Sequence, residues 1–227
     1  MGQRRTLAMV KRFVFASLGV LAMAAPAHAT TGGDATVRIL GWDAARSSIL
    51  VTREPGGENA IVELFAFDLE QRRTSVASCE TCLGLELGDT PRDADERAYL
   101  AVLKHAARLS PLVETPRSAW KKAGLEFSCA STQRTDPDSG HYRRQRCRLA
   151  VQGVAPIRFE FSAPSEWHSV RLFQPPGHTG SALAWVVHTG ISELGYREHE
   201  LVLAPSSPHL AVSCATFARH YGATTAQ

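Results

Sequence analysis

No acidic residue occurs among the first 29 positions, and no cysteine occurs before Cys79. The missing cysteine excludes a lipid-anchored lipoprotein. After position 29 there is no second long apolar run, so no transmembrane segment is expected there. Gly-x-Ser-x-Gly, Gly-x-Gly-x-x-Gly and His-Glu-x-x-His are all absent. The sequence therefore carries no nucleophile elbow, dinucleotide loop or helix-borne zinc motif. No cofactor and no metal site are expected, and the catalytic residues, if any exist, have no signature.

What the first 29 residues do contain is Arg4, Arg5, Lys11 and Arg12, then an apolar run from Phe13 to Ala25 that stops at Pro26. That run is too short to span a bilayer comfortably, since about twenty residues are needed. Ala27-His28-Ala29 follows as a small-x-small site. The pattern predicts a signal peptide over residues 1–29, cleaved between Ala29 and Thr30, and a single exported, mostly-β domain over 30–227. Arg4-Arg5 leaves the Sec and twin-arginine routes both open. The leader holds four of the 25 cations and none of the 22 acids, so the remainder carries 21 against 22, a net charge of −1. A basic precursor thus says nothing about nucleic acid, and none is expected as a partner.

Along the chain, Thr36 to Trp42, Ser48 to Arg53, Ile61 to Leu69 and Arg73 to Ala77 read as an antiparallel meander. Asp89-Thr90-Pro91-Arg92-Asp93 is a helix start, with Asp93, Asp95 and Glu96 placed to suit the helix dipole. Ala98, Tyr99, Val102, Leu103 and Ala106 recur at helical spacing, so one principal helix is predicted over Asp93 to Leu109. The segment from Leu112 to Lys122 has no clear assignment. Later strands are predicted over Ile157 to Phe161, Val170 to Gln174, Ala182 to His188 and Glu198 to Leu203. The expected class is α+β: mainly antiparallel sheet with one principal helix, stabilised by disulfides.

Five cysteines remain in a compartment where disulfides persist. Asp136-Pro137-Asp138-Ser139-Gly140 is a turn, and centring a hairpin on Asp138 places Cys129 opposite Cys147, Phe127 opposite Leu149 and Leu125 opposite Val151. A Cys129–Cys147 bond is expected at a non-hydrogen-bonded site. Arg144, Arg146 and Arg148 then share the outer face, with Glu126 diagonal to Arg148. Cys79-Glu80-Thr81-Cys82 admits a local disulfide, a metal or a redox reading; compartment favours the disulfide. Cys214 has no assigned partner.

Other chemistry-bearing residues are scattered. Glu198 and Glu200 share one strand face, with His199 on the other. His168 sits beside Trp167, and His178 lies in the Gly177-His178-Thr179-Gly180-Ser181 loop, where either could line a pocket. Arg134, Arg143, Arg144, Arg146 and Arg148 could hold an anionic ligand or form a solvated face balanced by Asp136 and Asp138.

GWDAARSSILVTRE, the later VELFAFDLE and the closing ISELGYREHELVLA resemble stretches of a family of predicted secreted bacterial proteins of unknown function. In that family an opening hairpin ending in Asp-Leu precedes an acid-started helix and Cys-bearing strands. Trp42-Asp43-Ala44-Ala45-Arg46 stands here in place of the family's Ser-Pro-Asp-Gly turn. The resemblance implies export and architecture, not an activity. The expected role is a non-catalytic periplasmic or secreted domain that binds a protein or an envelope component; the alternative is an exported hydrolase with a dispersed active site.

Overall fold

The computed structural model describes residues 34–54, 56, 60–136, 140–163, 168–189, 197–205 and 209–222. The leader over 1–29, its cleavage point at Ala29 and Thr30, and the hairpin centre at Asp138 lie outside the described residues.

Three sheets and a helical layer stack on one another. The first sheet contains β1 (Thr36–Asp43), β2 (Ser48–Glu54), β3 (Val62–Asp68), β4 (Arg73–Cys79) and a parallel edge strand β12 (His209–Ala211). The second places β11 (Arg197–Ala204), β10 (Ala182–Thr189), β9 (His168–Gln174) and short β5 (Val113–Thr115) side by side. The third is β6 (Leu125–Asp136), β7 (Gly140–Val151) and β8 (Ile157–Ala163). Helices α1 (Ala94–Ala106) and α2 (Cys214–Tyr221) complete the set.

Strand alternation decides which core each residue enters. Leu50, Leu64 and Ala66 pack against Tyr99 and Val102 of α1 and Phe217 of α2. Their chain neighbours Ile49, Val51, Phe65 and Phe67 point the other way, onto Phe173, Leu183 and Leu203 of the second sheet. That sheet's opposite face, Leu172, Ala182, Ala184 and Ala204, meets Leu125, Leu149 and Val151 of the third. The first two sheets are therefore apolar on both faces, which is why β2 and β3 read as nearly continuous apolar runs.

α1 begins where its acidic cap predicts: Asp93 accepts a hydrogen bond from the Glu96 N–H at 2.8 Å. A second, shorter helix, α2, accompanies the one principal helix. It is only eight residues long, too short to stand without its packing, and it is held by Phe217 and Tyr221, one turn apart on its buried face. The unassigned stretch after Leu112 contains β5 and a 3₁₀ turn at Arg117–Ala119.

Gly41 closes a β-bulge that opens after Ile39, with φ 145°. A Cβ there would come within 2.8 Å of the Leu109 Cβ and 2.9 Å of the Ser110 carbonyl. The close approach lets Trp42 N–H donate to Ser110 O at 2.7 Å, tying the end of the α1 segment to β1.

In the β6–β7 hairpin, Cys129 pairs with Cys147, Phe127 with Leu149 and Leu125 with Val151. Cys129 and Cys147 are bonded with Cα atoms 4.1 Å apart, in keeping with a non-hydrogen-bonded site. Replacing both by Ser is expected to lower unfolding stability by about 3 kcal/mol, because the bond closes a long loop in the unfolded chain. The midpoint of urea unfolding of the two forms measures this.

Candidate functional site

Turns from all three sheets converge at one end of the stack and line a cleft of about 880 Å³. Leu69 and Arg72 come from the β3–β4 turn, Gly153 to Pro156 from the β7–β8 turn and Gly177 to Ser181 from the β9–β10 turn. Loop clusters on a rigid sheet scaffold are the usual place for binding groups.

Each turn forms for a local reason. Pro176 and Gly177 occupy the central positions of a turn closed by His178 N–H to Pro175 O at 3.1 Å, and Gly177 takes φ 77°. Proline followed by a left-handed glycine is the type II pattern. Val154 N–H donates to Val151 O at 3.0 Å across Gly153, whose φ is 79°. In the β3–β4 turn the Asp68 carboxylate accepts from Gln71 N–H at 2.8 Å, and Arg72 follows with φ 49°. A non-glycine side chain in this region costs on the order of 1 kcal/mol, and such positions concentrate at functional sites.

The lining is electropositive. Arg72 and Arg158 are exposed, and among the described residues neither forms an ion pair. His178 is set edge-on against Trp42, with ring centroids 4.9 Å apart. The described lining includes no carboxylate. Two free guanidiniums, an imidazole and the Ser181 hydroxyl suit the capture of an anionic group.

The remaining titratable clusters hold the fold. Asp43 is buried beside Arg46 and His105, whose Nε2 lies 2.8 Å from its Oδ2. Burial opposes its charge, but the hydrogen bonds of His105 and Arg46 outweigh that and keep its pKa below the ordinary value. The cluster pins the C-terminal turn of α1 to the β1–β2 hairpin. Glu200 lies 3.6 Å from His188 Nε2, while His199, on the opposite face, accepts from Trp185 Nε1–H at 3.1 Å. His168 is placed by register opposite His188. Trp167 and the side chains of His168 and Arg134 lie outside the described residues.

Arg144, Arg146 and Arg148 share the outer face of the third sheet. Glu160 takes Arg144 at 3.0 Å and Arg146 at 2.9 Å, and Glu126 takes Arg148 at 3.1 Å. Cys79 and Cys82 are bonded to each other. Cys214 is a buried thiol that donates to Ser78 O at 3.2 Å. Burial pushes its pKa up to about 11, so little reactive thiolate forms. No cluster of three metal-ligating side chains occurs among the described residues.

Of the residues singled out in the sequence, the cleft collects His178 and its glycine-bearing loop. It does not collect Glu198, His199 or Glu200. Arg72 and Arg158 carried no sequence signal, because nothing local sets a turn arginine or the second residue of β8 apart until the turns converge. The chain matches no family model, no curated protein and no solved structure.

Two outcomes follow from this geometry. Arg72→Gly is expected to raise stability or leave it unchanged, by up to about 1 kcal/mol, because glycine takes a left-handed φ without strain; thermal unfolding measures it. Burial holds the His199 ring below its ordinary pKa of 6.5. As pH falls through 6.5 the unfolded chain therefore takes up a proton that the folded ring does not, and stability declines. Urea midpoints between pH 7.5 and 5.5 should fall, and His199→Gln should shallow that fall.

Proposed function

We propose that the chain is exported, loses residues 1–29, and acts in the periplasm or outside the cell as a non-catalytic domain that binds an anionic group of an envelope component. The observation that carries this reading is the cleft itself: Arg72 and Arg158 line it without carboxylate partners among the described residues, and His178 lines it too. Two exposed guanidiniums lining one concavity raise its positive potential and concentrate anions there. Two disulfides fit an oxidising compartment. No described helix is long and apolar enough to cross a membrane.

A hydrolase is the second reading, because His178 and Ser181 line the same cleft. A hydroxyl and an imidazole can form a nucleophile and base when a third group orients the imidazole. Here the ring rests on Trp42, and the described lining offers no carboxylate for that task. Turnover of ester probes that disappears in Ser181→Ala would replace the binding reading by this one.

The decisive experiment uses mature protein isolated from the cell envelope or medium. Its intact mass should correspond to a chain beginning at Thr30. Titration calorimetry with inorganic phosphate and with galacturonate should detect binding that weakens as salt rises. Arg72→Ser and Arg158→Ser should each lower affinity by about tenfold, as expected for the loss of one charge-assisted hydrogen-bonding group. A retained Met1, or binding indifferent to both substitutions, would overturn the reading.

A further inference from the structure

Two smaller depressions continue from the cleft across the third sheet. One, of about 460 Å³, shares Arg158 with the cleft. The other, of about 570 Å³, shares Val154 and Pro156 with it. The two meet at Arg148. Together the three linings hold five arginine and lysine side chains, Arg72, Lys121, Arg146, Arg148 and Arg158, against the two carboxylates Glu126 and Glu160.

Within this trough Arg148 lies directly opposite Arg158 across β7 and β8. Like charges at facing strand positions are destabilising. Glu126 relieves Arg148, whereas Arg158 has no ion pair among the described residues, so the pair is left with excess positive charge. Arg146 and Arg148 stand on the same face of one strand, which spaces them by roughly 7 Å. The arrangement is a row of cations leading out of the cleft, suited to a ligand with repeated negative charges.

We infer that the occupant of the cleft is one end of an acidic polysaccharide whose chain runs on across Arg158, Arg148 and Arg146. The inference rests on the anion-binding reading of the cleft. Three observations favour a glycan over other polyanions. Ser128 and Ala130 beside the arginines are small and exposed, leaving room for sugar hydroxyls. The large exposed apolar side chains among the described residues, Ile61, Leu83, Leu87, Val113 and Leu210, lie on other elements. Glu126 and Glu160 interrupt the row of cations, which suits acidic groups separated by neutral stretches better than the unbroken charge of a nucleic-acid strand. Uronate carboxylates can accept two parallel hydrogen bonds from a guanidinium.

The test compares galacturonate with its trimer and hexamer, with neutral dextran as control, using the mature protein. Linked contacts multiply affinity, so the hexamer should bind at least about tenfold more tightly than the monomer, and dextran should not bind. Arg146→Ser with Arg148→Ser should bring the hexamer-to-monomer affinity ratio close to one. Ser128→Glu, which puts a carboxylate into the trough without removing an ion pair, should do the same and serves if the double variant fails to fold. Monomer binding with no gain in length overturns the polysaccharide inference and leaves the cleft reading standing. Loss of binding to monomer and inorganic phosphate alike overturns both. Tighter binding to phosphatidylglycerol vesicles or to single-stranded DNA than to the hexamer would also overturn the glycan assignment.

Discussion

Burial of both faces of two adjacent antiparallel sheets is the constraint on which the rest of this structure depends. An antiparallel sheet often leaves one face to water, but Leu50 and Ile49, neighbours in β2, enter two different cores. Each apolar face removed from water contributes on the order of 25 cal/mol per Å², so every one needs a cover. The helices cover the outer face of the first sheet, the second sheet covers its inner face, and the third sheet covers what remains. Ala182, Ala184 and Ala204 are small enough to let that last layer sit close.

Stacking in this way leaves two places for polar chemistry: the outer face of the third sheet and the ends where turns emerge. Buried Asp43 and Glu96 are matched by cations, Asp43 by Arg46 and His105 and Glu96 by Arg92, because an unmatched ion in an apolar interior is costly. At the turn end that requirement is relaxed by water. Arg72 and Arg158 remain there without carboxylate partners among the described residues, and Arg72 holds a left-handed backbone besides. A near-neutral chain thus carries a locally positive cleft, and local potential rather than net charge governs what approaches it.

The cysteines divide by environment. Cys129 and Cys147 lock a twelve-residue strand pair whose tip extends beyond β8. Cys79 and Cys82 close the end of β4 just before the loop to α1. Cys214 packs in the same core as that second pair, but its buried thiol resists ionisation.

Local pattern determined much of this protein without tertiary information. The meander, the acid-capped helix and the β6–β7 register were all legible, because alternation, capping and turn chemistry act between residues close in sequence. The facing of Cys129 and Cys147 followed from that register, as did the outward set Arg144, Arg146 and Arg148. The second helix was not legible: eight residues supply too few local hydrogen bonds, and Phe217 and Tyr221 declare a face only once a core receives them. Nor was the cleft, apart from His178 and its loop. Arg72 comes from the β3–β4 turn, Arg158 from the start of β8 and the His178 loop from between β9 and β10, and nothing in strand periodicity says which of these meet. Only the stacking order brought them to one end, because covering four apolar sheet faces fixed how the layers lie.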